Sequence, residues 1–230
     1  MDSIQILYED NHLIAVNKTN NDLVQGDQTG DMSLDEKVKD YLKEKYNKQG
    51  NAFLGVVHRL DRPVSGVVLF AKTSKALSRI NRLFKEKEVE KTYWAIVQKK
   101  PNPPSGDLHH YMVRDRKKNK SFAFTEKREN SKKASLTYRL VSQSDRYYLL
   151  EIDLHTGRHH QIRSQLSKIG CPVKGDLKYG YPRSNKGGGI SLHARKMKFV
   201  HPVKNLSIEI KATPPNDKLW NFFYSKLENF

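Results

Sequence analysis

Apolar and polar residues alternate along much of this chain, and a period of two predicts strands. Ile4-Gln5-Ile6-Leu7-Tyr8 and His12-Leu13-Ile14-Ala15-Val16 flank the turn formers Glu9-Asp10-Asn11 and read as a hairpin. Val56 to Leu60 and Val67 to Lys72 read as strands on either side of a turn at Asp61, and Thr92 to Val97, Ala134 to Val141 and Tyr147 to Leu154 as further strands. Near the end, Ile190–His193, Lys196–Val200 and Leu206–Ala212 complete the strand set. The period changes in four places. Leu34, Val38, Tyr41, Leu42 and Tyr46 recur at helical spacing. Ser74 stands as N-cap before the face Leu77, Ile80, Leu83 and Phe84. Arg158 to Ile169 carries Ile162, Leu166 and Ile169 on one face, with Gly170 as its stop. After Pro214-Pro215, a short helix buries Leu219, Trp220, Phe223 and Leu227. Strands grouped with a few interspersed helices predict an α+β fold, expected to form a single domain over residues 1–230.

Charge narrows the function. The 42 Lys+Arg exceed the 25 Asp+Glu, a formal net charge of +17, and so basic a chain most often has a polyanion as partner. A basic insertion spans about residues 109–133. It is densest over 114–133, where Arg114, Arg116, Lys117, Lys118, Lys120, Lys127, Arg128, Lys132 and Lys133 face only Asp115, Glu126 and Glu129. Such a run is either a solvated loop or hairpin, or an RNA-gripping element in which Phe122 and Phe124 stack on bases. The single cysteine, Cys171, excludes an internal disulfide and a Cys-rich zinc module. Met1-Asp2-Ser3-Ile4-Gln5 has no basic, apolar leader character, and no apolar run approaches the ~20 residues of a membrane helix, so a cytoplasmic protein with no membrane partner is expected. Gly187-Gly188-Gly189 reads as a flexible turn; without a following Lys-Ser/Thr or helix it is no phosphate loop.

The candidate chemistry centres on His58-Arg59-Leu60-Asp61-Arg62-Pro63-Val64-Ser65-Gly66, where one carboxylate lies between two arginines. This segment resembles the core motif of the RluA-like pseudouridine synthases. So do Lys91-Thr92-Tyr93, the stretch Leu154-His155-Thr156-Gly157-Arg158-His159-His160-Gln161-Ile162-Arg163, the loop Pro172-Val173-Lys174-Gly175-Asp176-Leu177-Lys178-Tyr179-Gly180, and Ser191-Leu192-His193-Ala194 followed by His201-Pro202. Two positions depart from the family pattern. Asn17-Lys18-Thr19-Asn20-Asn21-Asp22-Leu23-Val24-Gln25 lacks a Pro and a Gly usual after the first hairpin, and Val64 stands where Thr is common.

The resemblance implies a pseudouridine synthase fold: a central mixed, mostly antiparallel sheet flanked by helices, with a basic catalytic cleft. It implies an isomerase that flips uridines out of rRNA or tRNA and converts them to pseudouridine, with no cofactor and no metal. Asp61 is then the nucleophile and Arg163 its buried ion-pair partner. Tyr93 stacks on the base, Leu192 covers its other face, and Arg59 fills the vacated place in the RNA stack. His58, Arg62, Arg158, His160, Gln161 and His193 complete the expected substrate-binding set. His155 and His159, at i, i+4 on a supposed helix, lack a third metal ligand nearby and read better as lining a phosphate cleft. A monomer is expected. The competing function is an RNA-binding assembly factor without turnover, but a binding module has no use for a phosphate-repelling carboxylate at its centre. A metal-dependent nuclease fails for want of clustered carboxylates.

Overall fold

The computed structural model describes residues 4–26, 30–47, 49–50 and 52–228. Residues 1–3, part of the stretch read as having no leader, and residues 27–29 of the loop after the first hairpin lie outside the described residues. In chain order the elements are β1 (Gln5–Glu9), β2 (Leu13–Lys18), α1 (Leu34–Lys45), β3 (Gly55–Val56), β4 (Ser65–Ala71), α2 (Ser74–Glu86), β5 (Glu90–Val97) and β6 (Ser105–Asp115). There follow β7 (Lys120–Phe124), β8 (Lys132–Gln143), β9 (Tyr148–Leu154), α3 (Gln161–Lys168), a single 3-10 turn (Leu177–Tyr179), β10 (Leu192–Val200), β11 (Ser207–Lys211) and α4 (Lys218–Glu228). The fold is α+β, and no described helix is long and apolar enough to cross a membrane. Contacts divide the chain into two units, Met1–Val89 with Ala194–Thr213, and Glu90–His193 with Pro214–Phe230.

In the first unit β1 and β2 form the expected hairpin, its turn fixed by the Asp10 carboxylate accepting the N–H groups of His12 and Leu13 at 2.8 Å each. β2 pairs antiparallel with β4, Leu13 opposite Ala71 and Lys18 opposite Gly66. All seven residues of β4 are buried, which is why it reads as a continuous apolar run rather than an alternating one. One face of this sheet packs Leu13, Ala15, Val67, Leu69, Met197 and Phe199 against Ala76, Ile80 and Leu83 of α2. Burying a side chain such as Ile80 stabilises by about 2 kcal/mol. α2 is capped by Thr73, whose hydroxyl accepts the Ala76 N–H at 3.1 Å, so the expected cap Ser74 is instead the first helical residue. β3 is far shorter than expected, and β10 is one continuous strand where two were read.

The second unit holds an antiparallel sheet in the order β5-β9-β8-β6-β7. On one face Trp94, Ile96 and Leu149 pack against Trp220 and Phe223 of α4. The basic stretch forms the β6–β7 hairpin and the start of β8; a hairpin is among the readings of this run, but the bounds of β6 and β7 are not given by its pattern. α3 starts at Gln161, later than expected, because His160 takes left-handed backbone (φ 53°) and breaks the turn before it. It ends as foreseen. Gly170 at φ 75° sends its N–H to Ser167 and the Cys171 N–H to Leu166, a Schellman closure.

Candidate active site

Lys18 ends β2 with its side chain inside the protein, 1% exposed. Its amine donates to the carbonyls of Thr19 (2.8 Å), Arg62 (2.9 Å) and Val64 (2.7 Å). Three acceptors call for three donors, which only the protonated amine provides. Burial pulls its pKa down to about 7; Asp22 and Asp61 work against that fall, and Arg62 adds to it. The Val64 N–H closes the turn on the Asp61 carbonyl at 3.0 Å. The carboxylate picked out in the sequence therefore sits, half-buried, on a turn nailed from beneath by a buried cation.

Sequence reasoning missed Lys18, although a signal existed: it lies in phase with the buried positions Ile14 and Val16 of its strand. The departing loop after it is held by Asp22, which accepts from the Thr19 hydroxyl at 2.7 Å and pairs with Lys37 at 2.6 Å. Around the turn, Arg59 is exposed, and Arg62 points outward to Asp31 at 2.7 Å. His58 is engaged internally. Its Nε2 accepts the Leu69 N–H at 3.1 Å and its ring stacks on Phe84. Val64 is buried and contributes through its backbone, so a side-chain hydroxyl is not needed for this turn.

In the second unit Tyr93 lies on β5 opposite Ile152. Alternation places it on the face away from Trp94 and Ile96, hence away from α4. The Lys91 pKa is lowered by burial. Arg163, on the first turn of α3, is 5% exposed, and its Nε and Nη2 grip the two Asp176 oxygens at 2.7 and 2.9 Å. A buried bidentate pair of this kind fixes the guanidinium plane. Asp176 was part of a recognised motif, but it was given no role. Gln161 is a knot: its side-chain oxygen accepts from the Arg158 N–H (3.0 Å) and the Thr156 hydroxyl (2.7 Å), and its Nε2 donates to the Ser135 carbonyl (3.1 Å). The Arg158 side chain reaches the Lys133 carbonyl at 3.1 Å. His160 contacts the Tyr179 hydroxyl at 3.0 Å. Leu192 is buried at the start of β10, and the wholly buried His193 packs edge-on to Trp220.

Two groupings result. His58, Arg59, Asp61 and Arg62 share one loop of the first unit. Arg158, His160, Gln161 and Arg163 share the entry to α3 in the second. His155 and His159 precede that helix rather than riding on it, and they bond Thr137 (2.9 Å) and Ser121 (2.8 Å). Among the described residues no three His, Cys, Asp or Glu side chains gather as metal ligands. On the outer face of β7, Phe122 and Phe124 carry Lys120 and Arg128 over their rings at 5.5 and 4.1 Å.

Residues 12–168 match the family described as RNA pseudouridylate synthase. A ribosomal large subunit pseudouridine synthase C of Rickettsia bellii (strain RML369-C) is 37% identical over 92% of this chain and 68% of its own length. A tRNA pseudouridine synthase C of Pectobacterium carotovorum is 30% identical over 91% of this chain and 58% of its own length. Among solved structures, human RNA Pseudouridylate Synthase Domain Containing 4 superposes with a TM-score of 0.77 at 24% identity, covering 97% of this chain and 92% of that one.

Proposed function

The chain belongs to the RNA pseudouridylate synthase family, and from that premise we propose how its residues isomerise a uridine of ribosomal or transfer RNA. The glycosidic carbon–nitrogen bond breaks, a bond from the same sugar carbon to carbon 5 of the uracil forms, and the carbon 5 proton leaves as the ring nitrogen gains one. No redox step occurs. Asp61 is the nucleophile, attacking the sugar or the uracil ring. Arg163 is the cation that keeps the carboxylate ionised, a role suited to a guanidinium already oriented by Asp176. Tyr93 stacks on the base and Leu192 covers its other face. The target uridine leaves its helix at a cost of about a few kcal/mol, and the exposed Arg59 takes its place in the stack. The outward cations and aromatics of the β6–β7 hairpin grip the RNA.

The observation that carries this reading is the anchoring of the Asp61 turn by the buried Lys18. An ordinary surface ion pair has no need of a turn held so firmly, whereas a nucleophile must meet its target at a fixed place. Release of tritium from carbon 5 of labelled transfer and ribosomal RNA tests it. Wild type should release tritium from one of them and Asp61→Asn from neither. An Asp61→Asn protein of full activity removes Asp61 from the mechanism.

A further inference from the structure

Tyr179 has no part in the chemistry above, yet it touches two of the elements that do. It ends the 3-10 turn and is 5% exposed. Its hydroxyl accepts the Ser121 N–H at 2.9 Å, donates to the Ser121 carbonyl at 3.0 Å, and lies 3.0 Å from His160 Nδ1. A hydroxyl has one proton and two lone pairs. The proton goes to the Ser121 carbonyl, so the second lone pair takes a proton from His160 Nδ1. The side chain thus serves β7 as a neighbouring strand's backbone would, using both the N–H and the C=O of one residue.

The ring does something else. The Arg163 guanidinium lies 5.0 Å from its centroid. The Tyr179 N–H also donates, at 3.1 Å, to the carbonyl of Asp176, whose carboxylate grips Arg163. Arg163 is therefore held by a carboxylate and an aromatic face from the same short loop. The hairpin is clasped by the hydroxyl at the tip of that aromatic ring. Neighbouring groups reinforce the junction: His159 stacks on His160 at 3.8 Å and bonds the Ser121 hydroxyl at 2.8 Å, and Lys120 lies 5.0 Å from the Tyr179 ring.

We propose that Tyr179 is a positioning residue that couples the β6–β7 hairpin to Arg163, its hydroxyl setting the hairpin and its ring setting the guanidinium. This rests on the roles given above to Arg163 and to the hairpin. The two halves of the side chain then have separable kinetic effects. Tyr179→Phe removes the hydroxyl and keeps the ring; Tyr179→Leu removes both.

In steady-state tritium release, Tyr179→Phe should raise KM for RNA about fivefold with kcat within about twofold, and Tyr179→Leu should add a loss in kcat of about tenfold or more. Neutralising the hairpin tip with Lys117→Ser and Lys118→Ser should raise KM alone. Combined with Tyr179→Phe, it should raise KM by less than the product of the separate effects, because both act through one hairpin. An unchanged KM in Tyr179→Phe, equal kcat in the two Tyr179 variants, or independent effects with the tip variant overturns the coupling. Equal falls in kcat with a matching drop in Tm would make Tyr179 a structural residue only. A wild type that releases no tritium from either RNA breaks the functional reading instead. Filter binding then still judges the hydroxyl arm: weaker RNA binding by Tyr179→Phe supports it, and unchanged affinity sinks it.

Discussion

Replacing Lys18 by Met keeps the buried stem and takes the donors away from the carbonyls of Thr19, Arg62 and Val64. The Val64 bond is buried and the other two half-buried. An orphaned buried acceptor costs about 1–3 kcal/mol, a half-buried one less, and relief from burying an ammonium offsets part of the total, leaving a net loss of about 3 kcal/mol. For a chain of this size that lowers Tm by about 6–12 °C. The pH dependence is the sharper signature. The folded pKa of about 7 lies below the ordinary 10.5. Above pH 7 the folded protein gives up this proton while the unfolded chain keeps it, so the contribution of Lys18 to stability is present above 10.5 and lost as pH falls toward 7.

The slope is about 1.4 kcal/mol per pH unit at its steepest, and about 2 kcal/mol accumulates between pH 7 and pH 9. None accumulates from this group in Lys18→Met. Urea unfolding of both proteins from pH 6 to pH 9 should therefore show the gap between them widening by about 2 kcal/mol above neutrality and flat below it. A gap that stays constant across the whole range would refute the lowered pKa of Lys18, showing an amine that keeps its proton beneath the Asp61 turn.

Gly66 has φ 115°, and a Cβ there would lie 2.3 Å from the Ala194 carbonyl oxygen, so Gly66→Ala should cost about 3 kcal/mol or more. A thermal melt matching wild type would contradict that close approach. Neutralising Lys117, Lys118 and Lys120 together should weaken RNA binding and reduce the slope of log affinity against log salt by about two units or more, read by filter binding across a salt series. Unchanged affinity and slope would make the hairpin a solvated one.

Local pattern revealed β1, α1, β8, β9 and α4 by their period, and β2 and β5 as β-branched and aromatic runs buried on both faces. The failures have particular causes. β3 stops at Val56 because the His58 side chain takes the Leu69 N–H. β10 looked like two strands, Ile190–His193 and Lys196–Val200, because Arg195 breaks the apolar run between them, yet Arg195 is buried and donates to the Ala212 carbonyl. β6 and β7 were hidden by their charge: only alternate residues such as Leu108, His110 and Met112 turn inward, and a histidine among them blurs the period.

By itself the sequence determined the family and the α+β class, and it singled out Asp61 as the carboxylate proposed for the chemistry, because motifs of fixed spacing record which residue types a family keeps together. Only the tertiary structure decided what holds those residues. Lys18 reaches the Asp61 turn across 44 and 46 positions of chain, Tyr179 reaches Ser121 across 58, and Asp176 meets Arg163 across 13. Such partners are chosen by where the backbone brings buried polar groups that must be satisfied. Hydrophobic periodicity can mark a residue such as Lys18 as inward-facing, but it does not name the partner that residue meets.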